Sequence, residues 1–204
     1  MRGPRPAAQR SALFACALMV LAASTVATAA PPNANQPTPA APNAPSRPPP
    51  AQPTLAHGRG VSVGVPPPAL SANRLHGKDP TELGALAGRV VVLDFWATWC
   101  GPCRAVMPLL DRLHRDYHDD GLTVLGVSRE PPPRIRAHLN RSPVGYTIAR
   151  GIGPTWRNYG IRTLPTLVII GRDGNVRHMM VGVSRRRAAQ LVAMIPRLLD
   201  EPAP

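Results

Sequence analysis

An apolar run from Val90 to Trp96, broken only by Asp94, leads into Trp99-Cys100-Gly101-Pro102-Cys103, and a helical pattern begins at once behind it. A continuous apolar run of this kind is that of a central strand buried on both faces. Pro102 to Tyr117 then places Ala105, Val106, Leu109, Leu110, Leu113 and Tyr117 on one face at helical spacing. The two cysteines therefore fall at the junction of a buried strand and a helix. That junction restricts the chain to folds in which strands and helices alternate.

The rest of the pattern agrees. Leu122 to Val127 predicts a second buried strand, Pro132 to Asn140 a short helix, and Tyr146 to Ala149 a short strand. Pro165 to Ile170 and Val176 to Val181 predict a hairpin, joined by Gly171-Arg172-Asp173-Gly174-Asn175. Ser184 is placed to cap a final helix whose apolar face is Ala188, Leu191, Val192, Ile195, Leu198 and Leu199. Pro196 is expected to kink or end that helix early. The order predicts an α/β domain with a mixed central β-sheet flanked by helices.

A cysteine at a helix N-terminus lies beside unpaired N–H groups and the positive end of the helix dipole, which favours its thiolate. Cys100 is thus the expected exposed nucleophile. Cys103, one turn on, can attack the mixed disulfide that Cys100 forms and release the substrate. A Cys-x-x-Cys pair can also be half of a zinc site, but the sequence offers no second cysteine pair. His114 and His118 are four apart at the far end of the helix and read as solvated residues, so no metal site is expected. A copper(I)-handling module built on the soft thiolates is the alternative function, although Met107, Met179 and Met180 form no evident ligand set with the cysteines. A peroxidase is disfavoured because Thr98 sits two residues before Cys100, where the Thr-x-x-Cys spacing of peroxiredoxins needs three.

The stretch from Val92 to Arg104 resembles the active-site segment of thioredoxins, and its Trp96-Ala97-Thr98-Trp99 spelling is most similar to the exported TlpA/ResA/DsbE group. Tyr159-Gly160-Ile161-Arg162-Thr163-Leu164-Pro165-Thr166 is similar to that family's cis-proline loop. Pro108 falls where thioredoxins carry a helix-kinking proline, and Asp173-Gly174 where the hairpin turn would be. The resemblance covers about Ala69 to Leu199. It implies a thioredoxin fold and a protein-disulfide oxidoreductase that works through a redox-active Cys100–Cys103 disulfide and no other cofactor. It also implies a cis Pro165, with Thr163 and Leu164 beside the cysteines, where with Trp99, Gly101 and Pro102 they would contact an extended client chain. The Gly-Pro spelling between the cysteines implies a reducing protein. Clients would be exported proteins with disulfides, among them those of cytochrome c biogenesis, and electrons would come from a membrane donor of DsbD type.

Two positions depart from the TlpA/ResA pattern. Val106 stands where many of those relatives carry an acid, and Asp94 is the thioredoxin choice where they often carry Asn. A proton-handling role cannot be carried over to Val106. Asp94 remains the candidate, and as the only charge in an apolar strand its carboxyl is expected to have a raised pKa.

The first 30 residues carry Arg2, Arg5 and Arg10, then an apolar segment from Ala12 to Ala23 and small residues at Ala27 and Ala29. This is the layout of a signal peptide or, if retained, an N-terminal membrane anchor. Lipidation at Cys16 fits poorly, since the apolar run continues past it. Residues 31–68 hold 13 of the 27 prolines and no helical or strand period. They read as a disordered, partly polyproline linker suited to a tether, and residues 69–204 as the thioredoxin-like domain. An exported protein in the periplasm or at the outer face of the inner membrane is therefore expected. The net charge of +13 comes from scattered arginines with one run, Arg185 to Arg187, and no nucleic-acid partner is expected.

Overall fold

The computed structural model describes residues 60–203. The expected leader and most of the Pro-rich segment lie outside the described residues. A six-stranded mixed sheet forms in the order β1-β4-β3-β2-β5-β6, with β1 Ala72–His76, β2 Val90–Phe95, β3 Leu122–Ser128, β4 Thr147–Gly151, β5 Thr166–Ile170 and β6 Val176–Val181. β2 pairs parallel to β3 and antiparallel to β5. Every residue of β2 and of β3 is buried, which is why their sequences read as apolar runs interrupted only by Asp94 in β2 and by Thr123 and the terminal Ser128 in β3.

Alternation along β2 divides the core in two. Val90, Val92 and Trp96 pack on one face under α1 (Gly101–Tyr117), α2 (Pro132–Arg141) and α4 (Arg185–Leu199). Val91, Leu93 and Phe95 face the other side. There they meet Leu86 of a 3₁₀ turn, and Trp156 and Tyr159 in and behind the one-turn helix α3 (Thr155–Asn158).

Val61 and Leu70 complete that second layer, and here the structure corrects the sequence reading of 31–68 as linker throughout. The end of the segment packs on the domain. Gly64 N–H donates to Val176 O, Val176 N–H donates to Val65 O, and the buried Tyr159 hydroxyl donates to Pro68 O at 2.6 Å. Prolines hid this, because a few backbone hydrogen bonds and one aliphatic anchor leave no periodic trace.

Three short elements gave no periodic signal: β1, the 3₁₀ turn Leu83–Leu86, and α3. β5 starts at Thr166 rather than Pro165, although Pro165 O still accepts from Gly182 N–H at 2.7 Å. Ser184 does cap α4, its Oγ accepting from Arg187 N–H. Pro196 does not end that helix, which runs on to Leu199. A proline in the last turns removes a single backbone bond, and the burial of Ile195 and Leu198 on either side outweighs it. Gly174, with φ of 81°, makes the turn between β5 and β6 in a conformation that other residues avoid.

Candidate active site at the start of the first helix

Trp96 N–H donates to Val127 O and extends the β2 ladder by one residue. The chain then turns, Cys100 N–H donating to Ala97 O at 3.0 Å. Cys100 is the N-cap of α1, in an extended conformation, and its Sγ accepts from Cys103 N–H at 3.2 Å. Pro102 stands in the first turn, where its missing N–H costs nothing. The two cysteines form a disulfide.

In this oxidised state Cys103 is wholly buried and Cys100 only 4% exposed. That burial belongs to the disulfide form, whereas the expectation of an exposed Cys100 concerns the reduced thiol. What the site presents to solvent is its rim: Trp99, 66% exposed, with Gly101 and Pro102.

Asp94 lies on the helix-bearing face of β2, between Val92 and Trp96, on the side where both cysteines pack. It is completely buried, and neither carboxylate oxygen has a hydrogen-bond partner among the described residues. Burial pushes its pKa up to about 8. Its register partner in β3 is Gly126, and a side chain there would run into Ile148 Cδ1 at 2.4 Å and Trp96 Nε1 at 3.2 Å. Trp96 Nε1 and the Tyr146 hydroxyl are likewise buried without partners. Glycine at 126 therefore leaves room for the Ile148, Trp96 and Tyr146 side chains beside the register position of Asp94. Sequence reasoning singled out Asp94 and missed Gly126, Trp96 and Tyr146.

The Leu164–Pro165 peptide is cis. Leu164 packs against the cluster that contains Cys100 and Cys103, whereas Thr163 is exposed and its carbonyl accepts from the Thr166 hydroxyl. Leu164, Pro165 and the cysteines are thus brought to one end of the sheet.

Glu130 is a residue that sequence reasoning missed. Its buried carboxylate accepts from Thr98 N–H at 2.6 Å and from Thr98 Oγ1 at 2.9 Å. It pins the loop that enters the first cysteine. Only its position just after a buried strand, where a charge is unusual, could have drawn attention to it.

Residues 63–179 match the model of the AhpC/TSA family. The thiol-disulfide oxidoreductase ResA of Bacillus thuringiensis is 30% identical over 124 residues, covering 60% of this chain and 71% of that protein. The thioredoxin-like protein YneN of Bacillus subtilis is 29% identical over 135 residues, covering 63% of this chain and 76% of YneN. Among solved structures, a Chlorobium tepidum chain described as a thiol:disulfide interchange protein DsbE superposes with a TM-score of 0.61 at 31% identity. That match covers 69% of this chain and 99% of the other.

Proposed function

The chain belongs to the AhpC/TSA family and is a thiol-disulfide oxidoreductase of ResA/DsbE type; from that premise we propose that it works outside the cytoplasm as a reductase of disulfides in exported proteins. The observation that carries the reading is the Cys100–Cys103 pair at the N-cap of α1, with Cys100 Sγ held by the Cys103 N–H. An N-H donor and the helix dipole favour a thiolate at that sulfur once the pair is reduced.

In the proposed cycle the Cys100 thiolate attacks one sulfur of a client disulfide, forming a mixed disulfide and expelling the client's other sulfur as a thiolate, which takes a proton from water. Asp94, in its ionised form, accepts the Cys103 thiol proton, directly or through a water. The Cys103 thiolate attacks Cys100 Sγ, closing the Cys100–Cys103 disulfide and expelling the client's remaining sulfur. Two electrons have passed from the protein to the client. A DsbD-like membrane donor would return them, and no other cofactor enters the cycle.

Trp99, Gly101 and Pro102 are exposed and would form the rim a client meets first, and Thr163 and Leu164 would contact its backbone. The leader-like first 30 residues support export to the periplasm or the outer face of the inner membrane. Among the described residues no helix is long and apolar enough to cross a membrane.

The experiment is a trap. Cys103→Ala in the full chain leaves Cys100 able to attack and unable to release, so clients accumulate as mixed disulfides that mass spectrometry can name. Exported clients, including proteins of cytochrome c assembly, are the expected catch. Trapping of cytoplasmic proteins alone, or none in a strain where the intact chain reduces disulfides, would refute the reading.

A further inference from the structure

The histidines at the end of α1 are not the solvated pair that their sequence position suggests. His114 is buried, its exposure only 7%, because the helix turns it inward toward Tyr146 of the sheet layer. His118, one turn on, lies with its ring centroid 4.7 Å from that of His114. The third member comes from far away in the chain. Asp79 sits in the loop after β1, and its Oδ1 is 3.0 Å from His118 Nε2. Each of the three side chains brings one ligand atom to within 4.8 Å of the other two.

We propose that Asp79, His114 and His118 bind a divalent first-row transition-metal ion, of which zinc is the probe of choice. Two imidazoles four residues apart on one helix face plus a carboxylate form a set of nitrogen and oxygen donors that suits zinc. In a tetrahedral zinc site with bonds of about 2.0–2.1 Å, neighbouring ligand atoms lie roughly 3.3 Å apart. The His118–Asp79 pair is near that spacing at 3.0 Å, and His114, whose ligand atom lies within 4.8 Å of the other two, would close the remaining distance on binding. Three protein ligands leave one position for water, and the His118 side chain, 26% exposed, opens the site to solvent.

The surroundings are those of a ligand set held in place. His118 Nδ1, the nitrogen turned away from Asp79, is 3.3 Å from Asp119 Oδ1. A carboxylate on the far nitrogen orients a metal-binding imidazole and fixes its tautomer. Asp79 is held in turn by Thr147, whose Oγ1 accepts from Asp79 N–H at 3.0 Å and donates to Asp79 Oδ2 at 3.3 Å. The loop can come this close only because residue 77 is glycine: a Cβ there would lie 2.6 Å from Thr147 Cα. Within the ring of His114, Nδ1 is buried and has no hydrogen-bond partner among the described residues. A buried imidazole left partly unsatisfied is costly unless something completes it. Arg89 anchors the neighbouring backbone through His118 O and Leu122 O, so the end of the helix is fixed before any ion arrives.

Cys103 and His114 are 11 residues apart, roughly 16 Å along the helix axis. The ion would therefore take no part in thiol exchange. It would tie the loop after β1 to the last turn of α1.

The test uses the full chain without an affinity tag, carrying Cys16→Ser, stripped of metal and kept oxidised so that no cysteine thiol can bind. Zinc chloride is titrated against a chromophoric chelator. One zinc per chain is expected, with His118→Ala and Asp79→Asn each weakening binding by about tenfold or more, and with zinc raising the melting temperature of the wild type only. Disulfide reduction by His118→Ala should equal that of the wild type, which shows that the variant is folded. Failure of the folded wild type to bind zinc, or binding of equal strength in both folded variants, overturns the proposal.

Discussion

Glu130 holds Thr98 twice, through the backbone N–H at 2.6 Å and through the hydroxyl at 2.9 Å, across 32 residues of sequence. The contact joins the end of β3 to the loop that delivers Cys100. Both bonds end on a carboxylate that is only 7% exposed, so they are charge-assisted and weakly screened. Glu130→Ala should cost about 2–3 kcal/mol of stability, since it leaves the Thr98 donors without their partner. Urea unfolding of the oxidised protein measures it, and Glu130→Gln, which keeps one acceptor, should lie between the variant and the wild type.

Reduction separates the two cysteines chemically. Cys100 is the N-cap residue with a donor at its sulfur, whereas Cys103 is completely buried inside the first turn. Iodoacetamide near neutral pH should label Cys100 about ten times faster than Cys103, the factor given by one pKa unit of difference in thiolate supply. Peptide mapping reads the ratio, and faster labelling of Cys103 would reverse the roles.

Asp94 makes the stability of the oxidised protein depend on pH. Its pKa goes from 3.8 to about 8 on burial, so between those values the native chain holds a proton that the unfolded chain has lost. Stability should then fall as pH rises through this window, by up to about 1.4 kcal/mol per unit. Asp94→Asn should be more stable than the wild type at pH 8 and nearly equal to it only below about pH 4, where the unfolded carboxyl is also protonated. In the reduced protein the same substitution should slow release of the mixed disulfide. Parallel stability curves from pH 5 to pH 8 would show that Asp94 does not titrate in this range.

The N-terminal boundary of the folded unit is also testable. A chain starting at Ala69 loses Val61 from the second layer, the Val65 O acceptor, and the Pro68 O that satisfies the buried Tyr159 hydroxyl. It should be less stable by about 3 kcal/mol, from one unpaired buried hydroxyl and one lost aliphatic contact. A chain starting at Gly60 keeps all three. Thermal melting of the two truncations beside the full chain gives the comparison, and equal melting temperatures would place the boundary after Pro68.

What the sequence determined by itself is local in origin. The buried strands β2 and β3, the helix from Gly101, the hairpin with its Asp173-Gly174 turn and the Ser184 cap follow from periodicity and turn chemistry within short windows. Cys100 and Cys103 were legible because their spacing matches one helical turn, and Asp94 because a charge inside an apolar strand contradicts its surroundings. Tertiary structure alone decided the rest. Glu130 on Thr98 and Asp79 on His118 join residues 32 and 39 positions apart. Gly126 is small because Ile148 and Trp96 crowd it, Val61 is held because it packs on the second core layer, and Val65 and Pro68 are held because their carbonyls accept from Val176 N–H and the Tyr159 hydroxyl. No window of sequence contains both members of such pairs. Their energy comes from burial and charge pairing that exist only once the sheet has brought the segments together.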